Sequence, residues 1–289
     1  MPRHALVSML AMSLVLGLAS LPAASLADDI KPKAPETAFS GKLRPDILGI
    51  STESNAESAR AIFDSLFKGR TDTKTDIQQQ KFGGASYVTA LSFSLPAGSK
   101  QNGEMLSTNF SSPASANRAY FVARNLTFAQ DQQPSKADMI KEVMGKYGVP
   151  TIVGDQHLYY IYRKGSIMSV GGKYKEATAL EAIDKPLDPR AAVKLNGDTV
   201  RGSCVAVVKR AQSKAKEPSA MLAEAKGANC DGVLSVQLVP GTLADRVGIA
   251  QFTLLDVKQL VSAAAIDSAA LAAAGPNDGS VPRGSAPKL

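Results

Sequence analysis

Tryptophan is absent from the 289 residues, and histidine and cysteine occur only twice each. The shortage of histidine removes the most chemistry. His4 falls in the N-terminal leader described below, which leaves His157 as the one imidazole of the exported chain. A histidine-based zinc or iron centre needs several ligands at short spacing, and neither His-x-x-His nor Glu-x-x-His occurs. A Ser-His-Asp triad would have to use His157, but no Gly-x-Ser-x-Gly turn exists to present a serine. His157 therefore reads as a solvated residue at the start of a strand. No cofactor is expected.

Other absences narrow the class further. The chain has no Gly-x-Gly-x-x-Gly and no P-loop. Gly171-Gly172-Lys173 is followed by Tyr174, without the Ser or Thr that a phosphate cradle needs, and reads as a hairpin exit. Lys and Arg are dispersed, with no run of five or six, so no nucleic-acid-binding arm is expected. Asn196-Gly197-Asp198 is a turn without the alternating ligands of a calcium loop. After residue 27 no apolar run is long enough to span a bilayer.

What is present begins with a leader. Arg3 supplies a short positive segment, and residues 5–21 are apolar but for Ser8, Ser13 and Ser20. Ser25 and Ala27 meet the small-residue requirement at −3 and −1 for cleavage before Asp28. Residues 1–27 thus read as a signal peptide. No cysteine lies near residue 27, so no lipid anchor is expected, and the address is the periplasm or the medium. Cleavage leaves 262 residues and lowers the net charge from +7 to +6. A mild positive excess favours an anionic surface as a partner but defines no site. In such a compartment Cys204 and Cys230 read first as a disulfide. Two buried thiols or a redox pair are the alternatives, although Cys-x-x-Cys is missing. Closing this 26-residue loop would stabilise the fold by about 3–4 kcal/mol.

Residues 28–45, with Pro32, Pro35 and Pro45 among charged residues, read as an extended linker. Ser54 with Glu57 reads as a capping box ahead of a stripe at Ala59, Ile62, Phe63, Leu66 and Phe67, stopped by Gly69. Ser135 with Asp138 opens a second helix striped by Met139, Ile140, Val143, Met144 and Tyr147, stopped by Gly148 and Pro150. A third is expected over residues 218–226. Period-two patterns predict strands at residues 87–95, 105–111, 119–128, 158–163, 166–170, 204–208, 233–238 and 249–255. Lys164-Gly165 joins one pair as a two-residue hairpin. Helix starts at Ser54, Ser135 and Ser219 fall 81 and 84 residues apart, suggesting a duplicated helix-then-strands unit.

These patterns predict an α+β fold: an antiparallel β-sheet with packed amphipathic helices in two similar units. The units would cover residues 46–130 and 131–262, with an Ala/Gly/Pro-rich tail at 263–289. The first part of that tail could extend a helix, with disorder from Gly275 onward.

From Pro134 to Arg163 a helix ends in Gly148-Val149-Pro150, a loop carries Asp155, and the strand Tyr159-Tyr160-Ile161-Tyr162 follows. This stretch of about thirty residues resembles the SmpA/BamE envelope domains and the related β-lactamase-inhibitor-protein-like fold. The resemblance implies helices on an antiparallel sheet and a protein-binding, non-enzymatic role. The chain departs from that group in having no lipid-anchor cysteine and no tryptophan.

One surface patch suggests binding: Tyr160, Tyr162, Arg163, Lys164, Lys173 and Tyr174, where rings and cations suit glycans, anionic headgroups or a protein. Strand alternation puts Tyr160 and Tyr162 on one face and Tyr159 and Ile161 on the other, so at least half of the wider aromatic cluster should be core. The functional expectation is a non-enzymatic exported binding or accessory protein of the cell envelope, meeting an envelope protein or an anionic surface. The alternative is a secreted hydrolase or carbohydrate-active protein using paired carboxylates, for which Asp184 and Asp188 are weak candidates in a polar segment.

Overall fold

The second helix, α2 (Lys136–Tyr147), starts as its sequence predicts. Ser135 Oγ accepts the Asp138 N–H, and Gly148 closes the helix at φ 84°. Helix α1 (Ala56–Leu66) begins one residue later than expected, because Asn55 and Ser58, not Ser54 and Glu57, form the reciprocal cap. The computed structural model describes residues 31–39, 43–168, 174–187, 193–195, 198–200, 207 and 218–273. The leader and its cleavage site lie outside these, as do Cys204, Lys173, Asp188 and the chain from residue 274.

The fold is α+β. Strands β1 (Lys74–Phe82), β2 (Ala85–Leu95), β3 (Gly103–Phe110) and β4 (Ala119–Thr127) form an antiparallel meander. Strands β5 (Ile152–Gly154), β6 (His157–Arg163) and β7 (Ser166–Ile167) follow α2, with β5 and β7 both pairing β6. Lys164 and Gly165 make the expected hairpin at φ 50° and 72°. Helix α3 (Glu176–Ala182) comes next, then a separate hairpin of β8 (Val193–Leu195) and β9 (Asp198–Val200). The described chain ends with α4 (Pro218–Lys226), β10 (Gly232–Pro240), β11 (Val247–Asp256) and α5 (Val257–Ala273). A strand was expected over residues 204–208, but Val207, the described residue there, is helical and buried.

One nine-stranded sheet contains all the described strands but β8 and β9, in the order β1-β2-β3-β4-β11-β10-β6-β5 with β7 beside β6. The unit boundary expected near residue 130 falls between β4 and α2. The sheet crosses it unbroken, because residues 121–127 of β4 pair with residues 249–255 of β11. Helices α1, α2 and α3 cover one face, packing Phe63, Ile140, Val143 and Ala179 on Leu106, Val122, Tyr160, Val236 and Leu254. Helices α4 and α5 cover part of the other, packing Met221, Ala225 and Leu260 on Phe121, Tyr159, Ile161, Val233 and Leu255. Strand alternation sorts neighbours between the two cores: Tyr160 and Tyr162 into one, Tyr159 and Ile161 into the other. Among the described residues no helix is long and apolar enough to cross a membrane.

The N-terminal end of the described chain differs from expectation. Residues 31–39, read as a linker, are an extended strap docked into the fold. Ala38 and Phe39 are buried, and Lys33 N–H donates to the Ala114 carbonyl. The prolines that suggested a spacer instead stiffen a segment whose last two residues are apolar. At the other end, the alanine-rich stretch after residue 262 extends a helix as its first part was expected to, continuing α5 to Ala273 with Ala263 buried.

Candidate functional site

A cavity of about 240 Å³ opens between the second sheet face and α5, at the β1–β4 end. Its lining comes from elements far apart in sequence. Gln78 and Gln80 of β1, Tyr87 and Thr89 of β2, Asn109 of β3 and Tyr120 of β4 form the sheet side. Leu260, Ala263, Ala264 and Asp267 form the helix side, with Leu222 of α4 beside them. Positions 260, 263, 264 and 267 share one helical face by their spacing. The two alanines keep that face short, and the space beneath them is the cavity.

Sheet irregularities shape the same place. The β1–β2 register shifts at Gln78/Gln79, and the β3–β4 register shifts at Asn109/Phe110. Bulges re-aim side chains and commonly sit beside functional sites. Here the first shift leaves Thr89 unpaired between Ala90 and Val88, and all of Tyr87, Thr89 and Ala90 reach the cavity. After β3 the chain turns through Ala116 and Asn117, both at positive φ. The Asn117 side chain braces this turn by donating to the Val88 and Ser111 carbonyls.

Among the described lining residues Asp267 is the one carboxylate, and no lysine, arginine or histidine accompanies it. Its Oδ1 accepts a 2.7 Å hydrogen bond from Ser112 Oγ, and it forms no ion pair with a described cation. Burial pushes the Tyr87 hydroxyl above its ordinary pKa, and the nearby Asp267 charge adds to this. Burial raises the Tyr120 hydroxyl to about 12, partly offset by a hydrogen bond with Asn109. Both tyrosines thus stay neutral at physiological pH. Among the described residues no group of three or more His, Cys, Asp or Glu could hold a metal ion.

The patch expected on the β6–β7 hairpin is not assembled as a surface. Tyr160 is fully buried and Tyr162 is 2% exposed, because both faces of β6 are covered by helices. Tyr160 donates to the Gly148 carbonyl, and Phe39 packs edge-on against Tyr162 at 4.9 Å. Tyr162 also meets a shallow 130 Å³ recess with Arg44, Asp46 and Lys146. Tyr174 is half-buried against the first core. Of the remaining members, Arg163 is half-buried, Lys164 is exposed, and Lys173 lies outside the described residues.

His157 also departs from expectation. It is buried, with Nδ1 2.6 Å from the Asp155 carbonyl and its ring stacked on Tyr159. Asp184 is bound by the buried Lys136 ammonium at 2.7 Å, tying the end of α3 to the start of α2. Cys230 is buried and carries no free thiol.

On the second face, Tyr159 of β6 stands directly opposite Ser235 of β10, and neither buried hydroxyl has a hydrogen-bond partner among the described residues. An unmade buried hydrogen bond is costly, whereas removing the polar atom is not. Ser235→Ala and Tyr159→Phe are therefore each expected to leave stability unchanged or raise it by up to about 1 kcal/mol. Urea unfolding of the two variants tests this, and a loss beyond that size in both would assign the hydroxyls a partner.

Neither a family model, nor a curated protein, nor a solved structure matches the chain. The site's chemistry therefore stands on its own residues.

Proposed function

We propose that the chain is an exported, non-enzymatic binding or accessory protein of the cell envelope, and that it holds a small ligand in the cavity under α5. The observation that carries this reading is the cavity itself. It is concave, lined by rings, amides and hydroxyls, with a single carboxylate among the described lining residues. Hydrolysis by paired carboxylates needs a second acid about 5–9.5 Å from the first, and Asp267 has none beside it in the lining. The resemblance of residues 134–163 to envelope domains that bind other proteins supports a binding role, and the net charge of +6 after cleavage suits a position near anionic surfaces.

Native mass spectrometry of the protein released gently from envelope fractions tests the reading. A retained small-molecule mass is expected on the wild type and not on Ala264→Phe, which fills the cavity. Substrate turnover, or the same bound mass on both proteins, would overturn it.

The export reading carries its own test. The mature protein is expected to begin at Asp28 and to show no thiol when denatured without reductant, with Cys230 paired to Cys204. Reduction should then cost about 3–4 kcal/mol of stability. Two titratable thiols in the mature protein would remove the pairing.

A further inference from the structure

We propose that the ligand of this cavity is a small organic ammonium ion, with Asp267 as its counter-charge and the rings of Tyr87 and Tyr120 as its walls. The inference rests on the cavity being a binding site and adds the class of ligand. Three observations carry it. Asp267 brings a carboxylate to a lining in which no described residue is a cation, and its Oδ2 has no partner among the described residues. A carboxylate turned into a partly enclosed space attracts a positive group more strongly than one in open water. Two tyrosines line the same space, and aromatic faces favour cations whose own hydration is weak, such as alkylammonium groups.

The rest of the lining agrees with that choice. Leu222, Leu260, Ala263 and Ala264 offer apolar contact to methyl or methylene groups. Gln78, Gln80 and Thr89 supply polar atoms near the rim for a hydroxyl or carbonyl tail. The volume lies below the roughly 300–1,000 Å³ of pockets for drug-sized molecules, so the ligand is compact. An anionic ligand would meet Asp267 with no compensating cation among the described lining residues.

Choline, its neutral isostere 3,3-dimethyl-1-butanol, and acetate are the probes, titrated into the purified exported protein and followed by the NMR signals of Tyr87 and Tyr120. Choline is expected to bind at least ten-fold more tightly than the isostere, and acetate not to bind. Asp267→Asn can still accept the Ser112 hydrogen bond, and it should weaken choline at least ten-fold with the isostere unchanged. Ala264→Phe should abolish both, which keeps the proposal testable if the asparagine variant does not fold. Equal binding of choline and isostere, or an Asp267→Asn variant that keeps its choline affinity, would overturn the ammonium inference while leaving the cavity as a site. No response to any probe would overturn the ammonium inference and leave the wider binding reading to the native-mass test.

Discussion

Asp256→Ala lowers the stability of this protein by about 3–5 kcal/mol at pH 6, the larger of two effects expected at the N-terminal strap. Asp256 ends β11 just before α5 and is fully buried. Its Oδ1 accepts the Gln259 N–H at 2.8 Å, the cap of the helix that roofs the cavity. The same carboxylate accepts the Ala38 N–H at 3.1 Å and the Thr37 hydroxyl at 2.5 Å, with Thr52 at 3.4 Å. Truncation leaves these donors buried without acceptors, at about 1–3 kcal/mol each where water cannot reach. Relief from burying a charge returns part of this but not all. Chemical denaturation of wild type and variant measures the difference, and a loss below 1 kcal/mol would show that the strap is held by other contacts.

The same carboxylate makes stability depend on pH in a defined direction. Burial raises its pKa from 3.8 to about 6, against the opposing pull of its hydrogen bonds from Thr37, Gln259, Ala38 and Thr52. Between about pH 4 and 6 the native state keeps a proton that the unfolded chain has released. Stability therefore falls as pH rises through that window, by about 3 kcal/mol in total, and this contribution is flat above about 7. Asp256→Asn keeps one acceptor oxygen, costs less than alanine, and should abolish this slope. Denaturation midpoints at pH 4, 5, 6 and 7 read it directly. A slope that survives in the asparagine variant would place the titrating group elsewhere.

The sequence made some of this legible. Capping residues and the apolar stripe marked α2 to the residue, and the period-two runs located most sheet strands, because both depend on local spacing. Strand β1 was invisible for a physical reason: its sequence, Lys-Thr-Asp-Ile-Gln-Gln-Gln-Lys-Phe, lies on a sheet edge and is exposed until Phe82, so no buried face shapes it. Helix α3 has only seven residues, too few for a stripe to register. The alternation of Tyr159 to Tyr162 was readable, but its consequence needed the second helical layer, which puts both faces of β6 in a core. The cavity had no contiguous signal, since it gathers residues from Gln78 to Asp267. Its one local trace is the Leu260, Ala263, Ala264, Asp267 spacing within a stretch that composition alone marked as tail.

Gly232→Val is the second large effect, and it tests the same strap from the sheet side. Gly232 opens β10 and pairs with Asp256 on one side and Tyr162 on the other. A Cβ there would lie 2.7 Å from the Phe39 ring and 2.9 Å from the Ala38 Cβ. Neither atom is the loose end of a flexible chain: Phe39 is wedged against Tyr162, and Ala38 is held through its backbone by Asp256. The strap must therefore leave, exposing Phe39, at a cost of about 3 kcal/mol. Residues 31–39 should also become cleavable by protease while the sheet stays folded. Because Asp256→Ala releases the same segment, the two substitutions together should cost less than their separate effects combined, by about 1–2 kcal/mol. Strict additivity in that cycle would mean that Gly232 and Asp256 hold different parts of the chain. The coupling matters beyond stability, because the residue that anchors the strap also caps α5, and α5 presents Asp267 to the cavity.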